Sequence, residues 1–200
     1  MGKRYDRAYF ERWYRNPRRR VTSASDLGRT VRFVAAAADH VLGRPLRTVL
    51  DVGCGEGRWR AALRRERPAV RYLGIDPSPY AVARFGRRRG VRLGTMGDLA
   101  TLDLDDTYDL VVCDDVLHYV PLGELRRGLR ALGPRVGGLA YLAVHAAEDD
   151  VTGDLRGFQR RRAATYRRLF AEVGLVAAGM HCWLPAHRAA DLAALAAPLR

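Results

Sequence analysis

The chain has 200 residues, and its 35 lysine and arginine side chains against 22 acidic ones give a formal net charge of +13. This length suits one domain with its own core, and three scattered cysteines exclude a disulfide framework or a zinc site. No apolar run is long enough to span a membrane, and the charged, aromatic start does not resemble a secretory signal. We therefore expect a single domain (residues 1–200), no membrane partner and a cytoplasmic location.

The positive charge permits an anionic partner such as a nucleic acid. Lys3 is the only lysine, however, which indicates a bias of composition toward arginine. The basic residues also fall in separate runs, at 15–20, 64–67, 87–89 and 160–162. Such runs are typical of solvated helix faces. Nucleic-acid binding is thus open but is not the interpretation that the composition favours.

The first 44 residues are predicted to be helical. Residues 3–16 carry an aromatic cluster at helical spacing, and a polar break follows. Ser25 or Asp26 can then cap a helix from Leu27 to about Leu42, which Gly43 ends. The aromatic cluster consists of Tyr5, Tyr9, Phe10, Trp13 and Tyr14.

From residue 45 onward, strand patterns alternate with helical patterns. The predicted strands are 48–52, 71–76, 91–94, 108–115, 137–145 and 175–184, and the predicted helices are 58–66, 79–89, 122–132, 163–173 and 187–196. Apolar strands joined by helical crossovers predict an α/β fold with a Rossmann-like, doubly wound and mostly parallel sheet. Ligands of such sheets bind at the carboxyl ends of the strands.

A glycine-rich loop follows the first strand, in the segment VLDVGCGEGRW at 49–59. Its glycines let the backbone turn sharply and approach a ligand. Arg58 stands where the dinucleotide motif G-x-G-x-x-G requires glycine, and no phosphate-binding P-loop motif is present. A tight turn from strand to helix is by itself a sufficient reason for such glycines.

Aspartates follow four of the predicted strands. They are Asp51, Asp76, Asp98, Asp114 and Asp115. Singly, each could cap a helix or be solvated at a strand end. Together, in a basic chain, they form an acidic rim that disfavours a pyrophosphate and favours a cationic ligand with a ribose and an amine.

These motifs, between about Thr48 and Leu142, resemble those of class I S-adenosylmethionine-dependent methyltransferases. The glycine loop resembles the first motif of that family, whose backbone faces the methionine part of the cofactor. GIDPSPYAVA at 74–83 resembles the second motif, which implies Asp76 on the ribose hydroxyls. GDL at 97–99 resembles the third, which implies Asp98 on the adenine amino group.

The resemblance extends to three further segments. YDLVVCDDVLHYV at 108–120 resembles the fourth motif, beside the sulfonium and the acceptor, and 129–142 resembles the fifth with a longer turn. YDRAYFERWY at 5–14 resembles the aromatic lid helix of some members. The implied cofactor, S-adenosyl-L-methionine, would contact Tyr5, Tyr9, Trp13, Asp51, Gly53, Cys54, Gly55, Asp76, Pro77, Gly97, Asp98, Leu99, Asp114 and Asp115.

The far edge of the sheet is expected to depart from the family. Its members usually have seven strands, of which the last is antiparallel. The segment after Trp183 has a helical pattern, so we predict that the seventh strand is missing or displaced. The domain is then divided into a lid and first helix (1–44), a cofactor-binding core (45–145) and an acceptor part (146–200).

Methyl transfer from a sulfonium needs orientation above all, and a base only if the acceptor loses a proton. His118 and His145 are the candidate bases, although His118 could instead pack as part of the scaffold. The aromatic cluster, Tyr119 and the loop 146–162 would form the acceptor pocket, which favours a small-molecule acceptor. Metal-assisted methyl transfer of the catechol type needs a set of carboxylates completed by an Asp-Asn pair. The only asparagine, Asn16, is far upstream, so no metal site is expected.

Three functions remain open at this point. The first is a methyltransferase acting on oxygen, nitrogen, sulfur or carbon of a small molecule. The second is an RNA methyltransferase that uses the basic surface. The third is a non-catalytic module that binds the cofactor. The sequence does not determine the acceptor or the oligomeric state.

Overall fold

A mixed sheet of seven strands forms the centre of the computed structural model, which describes residues 3–191. The strand order is β3-β2-β1-β4-β5-β7-β6; β1 to β5 are parallel, and β7 is antiparallel to both β5 and β6. The strands are β1 (Thr48–Val52), β2 (Arg71–Asp76), β3 (Val91–Leu93), β4 (Tyr108–Asp114), β5 (Val136–Ala143), β6 (Leu175–Gly179) and β7 (Cys182–Pro185). The predicted Rossmann-like fold is confirmed.

Helices cover both faces of this sheet. They are α1 (Arg7–Phe10), which continues as a π-helical turn (Glu11–Arg15), α2 (Ala24–Leu42), α3 (Arg58–Glu66), α4 (Pro79–Arg89), α5 (Leu122–Leu132) and α6 (Ala163–Ala171). Over the described part of the chain, no helix combines the length and the apolar character needed to cross a bilayer.

The apolar core has two layers because neighbouring strand residues point to opposite faces. Leu110 of β4 packs with the helix face of α2 that carries Val31 and Val34. Val111, the next residue, packs on the opposite face with Leu125 and other leucines of α5. Strands buried on both faces in this way read as continuous apolar runs, which is why the sequence pattern predicted them.

Helix α2 begins earlier than predicted. Ser23, not Ser25 or Asp26, is the N-cap: its side chain accepts a hydrogen bond from the Asp26 amide at 3.1 Å. Asp26 therefore lies in the first turn, where its charge interacts favourably with the helix dipole. The C-terminal prediction is confirmed, because Gly43 ends the helix with φ of 65°.

The prediction about the seventh strand is wrong. The segment predicted as one strand, 175–184, is a hairpin of β6 and β7, and β7 lies between β5 and β6. The chain reverses at Met180 and His181, whose φ angles are 50° and 63°. Gly179, which ends β6 with a φ of 85°, is the turn signal that the prediction of one continuous strand overlooked. The helix predicted at 187–196 is a 3₁₀ segment from Ala186 to Asp191, and the rest of that prediction lies outside the described residues.

Candidate active site

The glycine loop connects β1 to α3 and is held against β2. The amides of Gly53 and Cys54 both donate to the carbonyl of Ile75, at 2.7 and 3.2 Å. Gly53 and Gly55 have φ angles of 77° and 54°, a region that favours glycine. A β-carbon on Gly53 would also clash with the side chain of Val116. The loop therefore needs glycine for both conformation and space.

Asp76, at the end of β2, joins this loop to the start of α4. Its carboxylate accepts hydrogen bonds from the Gly55 amide at 2.7 Å and from the Ser78 amide at 2.9 Å. Pro77 separates Asp76 from Ser78. The side chain is buried, which raises its pKa, and the two amide hydrogen bonds oppose that effect. Each oxygen keeps lone pairs, so the carboxylate is oriented and can still accept hydroxyl groups.

Asp51 and Asp114 are buried acids held by aromatic donors. The Tyr72 hydroxyl donates to Asp51, and the indole Nε1 of Trp59 donates to Asp114 Oδ2 at 2.9 Å. Burial raises the pKa of Asp51 to about 8 and also raises the pKa of Asp114. A cation in contact with these groups would favour their ionised forms and would be bound more tightly for it.

Asp115, directly after β4, lies between two histidines. Its Oδ1 is 3.3 Å from Nε2 of His118 and 3.5 Å from Nε2 of His145. The residue has a φ of 61°, and its amide donates to the Ala143 carbonyl at the end of β5. Burial raises the pKa of Asp115 to about 6, so the carboxylate is mainly ionised at neutral pH.

The two histidines have different environments. His118 is buried, and burial lowers its pKa to about 3, so its ring is neutral. Its Nδ1 accepts the backbone amide of His145 at 3.3 Å, which leaves its proton on Nε2, a buried atom that forms no hydrogen bond within the described residues. The side chain of His145 is 48% exposed. His145 is therefore the histidine that an acceptor can reach.

One cleft of about 660 Å³ lies at the carboxyl ends of β1 and β4. Asp76, His118 and His145 are adjacent to it but do not line it. Six of the predicted cofactor residues line it: Tyr9, Asp51, Gly53, Cys54, Asp114 and Asp115. Asp154 adds a fourth carboxylate, and Arg58 is the only cation among the lining residues. We call it the acidic cleft. Its charge suits a cationic guest and opposes a pyrophosphate.

The N-terminal segment covers this cleft. Phe10 is buried and stacks on Tyr80 of α4 with ring centroids 5.7 Å apart. The Ser78 hydroxyl donates to the carbonyl of Tyr5, and the Tyr14 side chain lies against Gly55. Lys3 places its ammonium 2.8 Å from Asp154 Oδ2. The segment thus lies over the glycine loop, in the place expected of a lid.

Other predicted residues lie apart from the acidic cleft. The Gly97 amide donates to Thr95 and Glu124, and Asp98, which is exposed, accepts the Thr95 amide at 2.8 Å. The side chain of Leu99 is fully buried in the core. Trp13 lines a neighbouring cleft instead. The adenine contact of Asp98 stays a prediction.

Two polar residues of the acidic cleft, Trp59 and Asp154, were not singled out from the sequence, although Asp154 lies in the predicted acceptor loop 146–162. Trp59 lies in the first turn of α3 and donates its indole N–H to Asp114. Its position directly after the glycine loop is a signal in the sequence that could have identified it as a hydrogen-bond donor to the acidic rim. Asp154 belongs to a loop without regular pattern, and no signal in the sequence connects it with Lys3. Such contacts between distant segments exist only in the folded chain.

Comparison with known proteins gives a family and several relatives. Residues 9–196 match a family described as a methyltransferase domain. A trans-aconitate 2-methyltransferase of Mycobacterium ulcerans (strain Agy99) is 37% identical over 98 residues, which cover 43% of this chain and 36% of that protein. Phenazine O-methyltransferase PhzM of Lysobacter antibioticus is 26% identical over 193 residues, covering 86% of this chain and 56% of that protein. The chain therefore spans only part of the length of these relatives.

Solved structures share the fold. The crystal structure of a SAM-dependent methyltransferase from Archaeoglobus fulgidus superposes with a TM-score of 0.62 at 14% identity, over 84% of this chain and 73% of that one. At such identity the likeness concerns the fold alone. It agrees with the sheet order and the helices described above.

Proposed function

Because the chain belongs to the methyltransferase domain family, we propose that it transfers a methyl group to an oxygen atom of a small-molecule acceptor. The family assignment confirms the predicted resemblance to class I methyltransferases and S-adenosyl-L-methionine as the cofactor. When bound, that cofactor supplies a methyl group activated by a positively charged sulfur. The residues of the chain then have to hold the two reactants and manage one proton.

The acidic cleft fits such a cofactor. Asp76 is oriented by two backbone amides and has free lone pairs for ribose hydroxyls. Asp115, which is mainly ionised at neutral pH, supplies negative potential for the sulfonium, and contact with that cation would favour the ionised forms of Asp51 and Asp114. Gly53 and Gly55 supply the positive φ angles that form the loop against which the amino-acid part would lie. These roles, like the contacts of Tyr5, Tyr9, Trp13, Cys54, Pro77 and Gly97–Leu99, are part of the proposal.

The observation that carries oxygen methylation is the pairing of His145 with Asp115 at the edge of the acidic cleft. Nε2 of His145 faces Asp115, which leaves Nδ1 as the nitrogen that can accept a proton. An acceptor hydroxyl that passes its proton to Nδ1 becomes a stronger nucleophile toward the methyl group. The ionised Asp115 then stabilises the imidazolium that forms.

His118 has a different part in this proposal. Its ring is buried and neutral, and it packs against Tyr119 with centroids 4.2 Å apart. It faces the same Asp115 oxygen as His145 and accepts the His145 amide. We therefore treat it as a positioning residue that holds the backbone of His145, and not as the base.

The relatives support an oxygen acceptor. One relative is named as a trans-aconitate 2-methyltransferase, and another is named as a phenazine O-methyltransferase. Trans-aconitate and phenazines are small molecules. The division into a lid (1–44), a core (45–145) and an acceptor part (146–200) is proposed on the same basis. The cytoplasmic location stays a prediction from the sequence.

Calorimetry and a methyl-release assay test this function. We expect the purified chain to bind S-adenosylmethionine and to methylate members of a panel of phenols and hydroxy acids. His145→Gln should lower kcat about 100-fold without changing cofactor affinity, because it removes the proton acceptor. His40→Gln, on the exposed face of α2, is the matched control and should leave kcat unchanged.

Several results would reject parts of this proposal. An unchanged kcat in His145→Gln would exclude that residue as the base. Cofactor binding without turnover on any acceptor would favour the non-catalytic module. Methylation of RNA, with salt-sensitive RNA binding, would favour the second alternative. A chain that binds neither S-adenosylmethionine nor S-adenosylhomocysteine would refute the assignment of the acidic cleft.

A further inference from the structure

A second cleft, of about 1090 Å³, adjoins the acidic cleft and has the opposite charge. Three consecutive arginines, Arg18, Arg19 and Arg20, line it together with Trp13 and His145. We call it the arginine cleft. We propose that it binds the carboxylate of the acceptor, so that the substrate is a planar hydroxy-carboxylate. This inference rests on the proposed function and names its substrate class.

The charge of these arginines is not neutralised within the described structure. None of their three guanidinium groups forms an ion pair with residues 3–191, whereas the adjacent Arg15 pairs with Glu56 and Arg44 pairs with Asp109. Asp150 is the only acid among the residues lining the cleft. Arginine presents a planar fork of donors that matches a carboxylate. The cleft therefore has an unmet preference for an anion.

The backbone holds these arginines in place. The amides of Arg19 and Arg20 both donate to the carbonyl of Asn16, at 3.1 and 2.8 Å, and the Val21 amide donates to Trp13 at 3.0 Å. The run is thus a closed turn and not the solvated helix face that its sequence suggested. A turn fixed at both ends orders the three side chains at less cost on binding than a free loop would.

The position of His145 connects this cleft to the reaction. His145 lines the arginine cleft, and its Nε2 faces Asp115 of the acidic cleft. Val21 lines both clefts, so the two are neighbours. An acceptor with its hydroxyl at His145 can place a carboxylate among the arginines and a flat ring beside Trp13. The cation of the cofactor and the anion of the acceptor are thereby directed to opposite clefts.

Binding to protein saturated with S-adenosylhomocysteine tests the inference without requiring turnover. The probes are 3,4-dihydroxybenzoate and its uncharged analogue 3,4-dihydroxybenzamide, titrated by calorimetry. We expect the carboxylate to bind at least about tenfold more tightly than the amide, because only it can pair with the arginines. The combined variant Arg18→Gln, Arg19→Gln and Arg20→Gln should abolish that difference.

A matched variant controls for net charge. Arg64→Gln, Arg65→Gln and Arg87→Gln remove the same three charges from exposed positions on α3 and α4. This variant should keep the preference for the carboxylate. Equal affinity for the two probes, no binding of either probe, or equal loss in both variants would overturn the inference. So would an RNA oligonucleotide that binds the arginine cleft more tightly than the carboxylate.

The outcomes separate this inference from the proposed function. If S-adenosylhomocysteine does not bind, the assignment of the acidic cleft fails, and the proposed function fails with it. If it binds equally to all three proteins but the carboxylate shows no preference, only the arginine cleft is wrongly assigned. With turnover, the Arg18–Arg20 variant should raise KM for the carboxylate and change kcat little, since its residues bind and do not react.

Discussion

The acidic cleft and the arginine cleft adjoin each other but hold their charges in different ways. In the acidic cleft, Asp51 and Asp114 are buried or nearly so, and each accepts a specific donor from another element. In the arginine cleft, the arginines are exposed on one loop, without ion pairs in the described part of the chain. The first arrangement is rigid, whereas the second can adapt.

This difference is what a methyltransferase with one cofactor and a variable acceptor requires. Buried carboxylates on strand ends are held precisely enough to select one ligand. Loops tolerate changes of sequence and carry the contacts that differ between relatives. Substitutions in the acidic cleft and changes in salt concentration therefore test this difference between the two clefts.

The strongest prediction concerns the glycine loop of the acidic cleft. Gly53→Ala should lower the free energy of unfolding by about 3 kcal/mol, because the new β-carbon clashes with Val116 and φ is 77°. Urea unfolding measures this loss. Cofactor affinity should fall as well, while folded protein keeps its preference for the carboxylate probe in the arginine cleft.

Gly43→Ala is the control for backbone strain. Its φ is 65°, and no atom lies within 4 Å of the added β-carbon, so a loss of about 1 kcal/mol is expected. Equal destabilisation of the two variants would show that Gly53 is needed only for its conformation. The clash with Val116 would then not contribute to the destabilisation of Gly53→Ala.

The second prediction concerns the raised pKa of the buried Asp51 carboxyl group. Its pKa in the folded protein is about 8 against an ordinary value of 3.8, so between these values the folded state holds a proton that the unfolded state has lost. Stability must therefore fall as pH rises. From pH 6 to 8 the loss attributable to Asp51 is about 2 kcal/mol. Asp51→Asn cannot ionise and should remove this loss.

Urea unfolding of both proteins at pH 6 and pH 8 measures the effect, since the other titrating groups are shared and cancel in the comparison. Asparagine can still accept the Tyr72 hydroxyl, so the fold should persist. Parallel stability profiles for the two proteins would mean that Asp51 is ionised in the fold at neutral pH.

The smallest expected effect is on salt dependence, which compares the clefts directly. Raising NaCl from about 0.05 to about 0.5 M should weaken binding of 3,4-dihydroxybenzoate about fivefold, because exposed charges are screened. Binding of S-adenosylhomocysteine should change less than about twofold, because Asp51 and Asp76 are buried and salt screens buried groups less than exposed ones. Similar salt dependence for both ligands would show that the two clefts do not differ in exposure.

The glycine loop and the position of Asp76 beside it could be predicted from the sequence because their signals are local. Gly53, Gly55 and Asp76 stand at the ends of strands whose apolar runs are easily recognised, and parallel strands bring their ends together. The hairpin of β6 and β7 was missed because the sequence pattern placed Gly179, whose φ is 85°, inside one continuous strand, and Met180 and His181 are not typical turn residues. Arg18–Arg20 were interpreted as a solvated run because a sequence does not show which cavity a loop faces.

The sequence by itself determined the parallel α/β sheet, the glycine loop and the row of aspartates, because periodicity and backbone freedom are properties of short segments. Only the tertiary structure decided which aspartates have a raised pKa, which of His118 and His145 is exposed, and that the arginines line a cleft. Burial and charge depend on neighbours far away along the chain. The pKa of Asp51 and the pairing of Asp115 with His145 therefore exist only once the chain is folded.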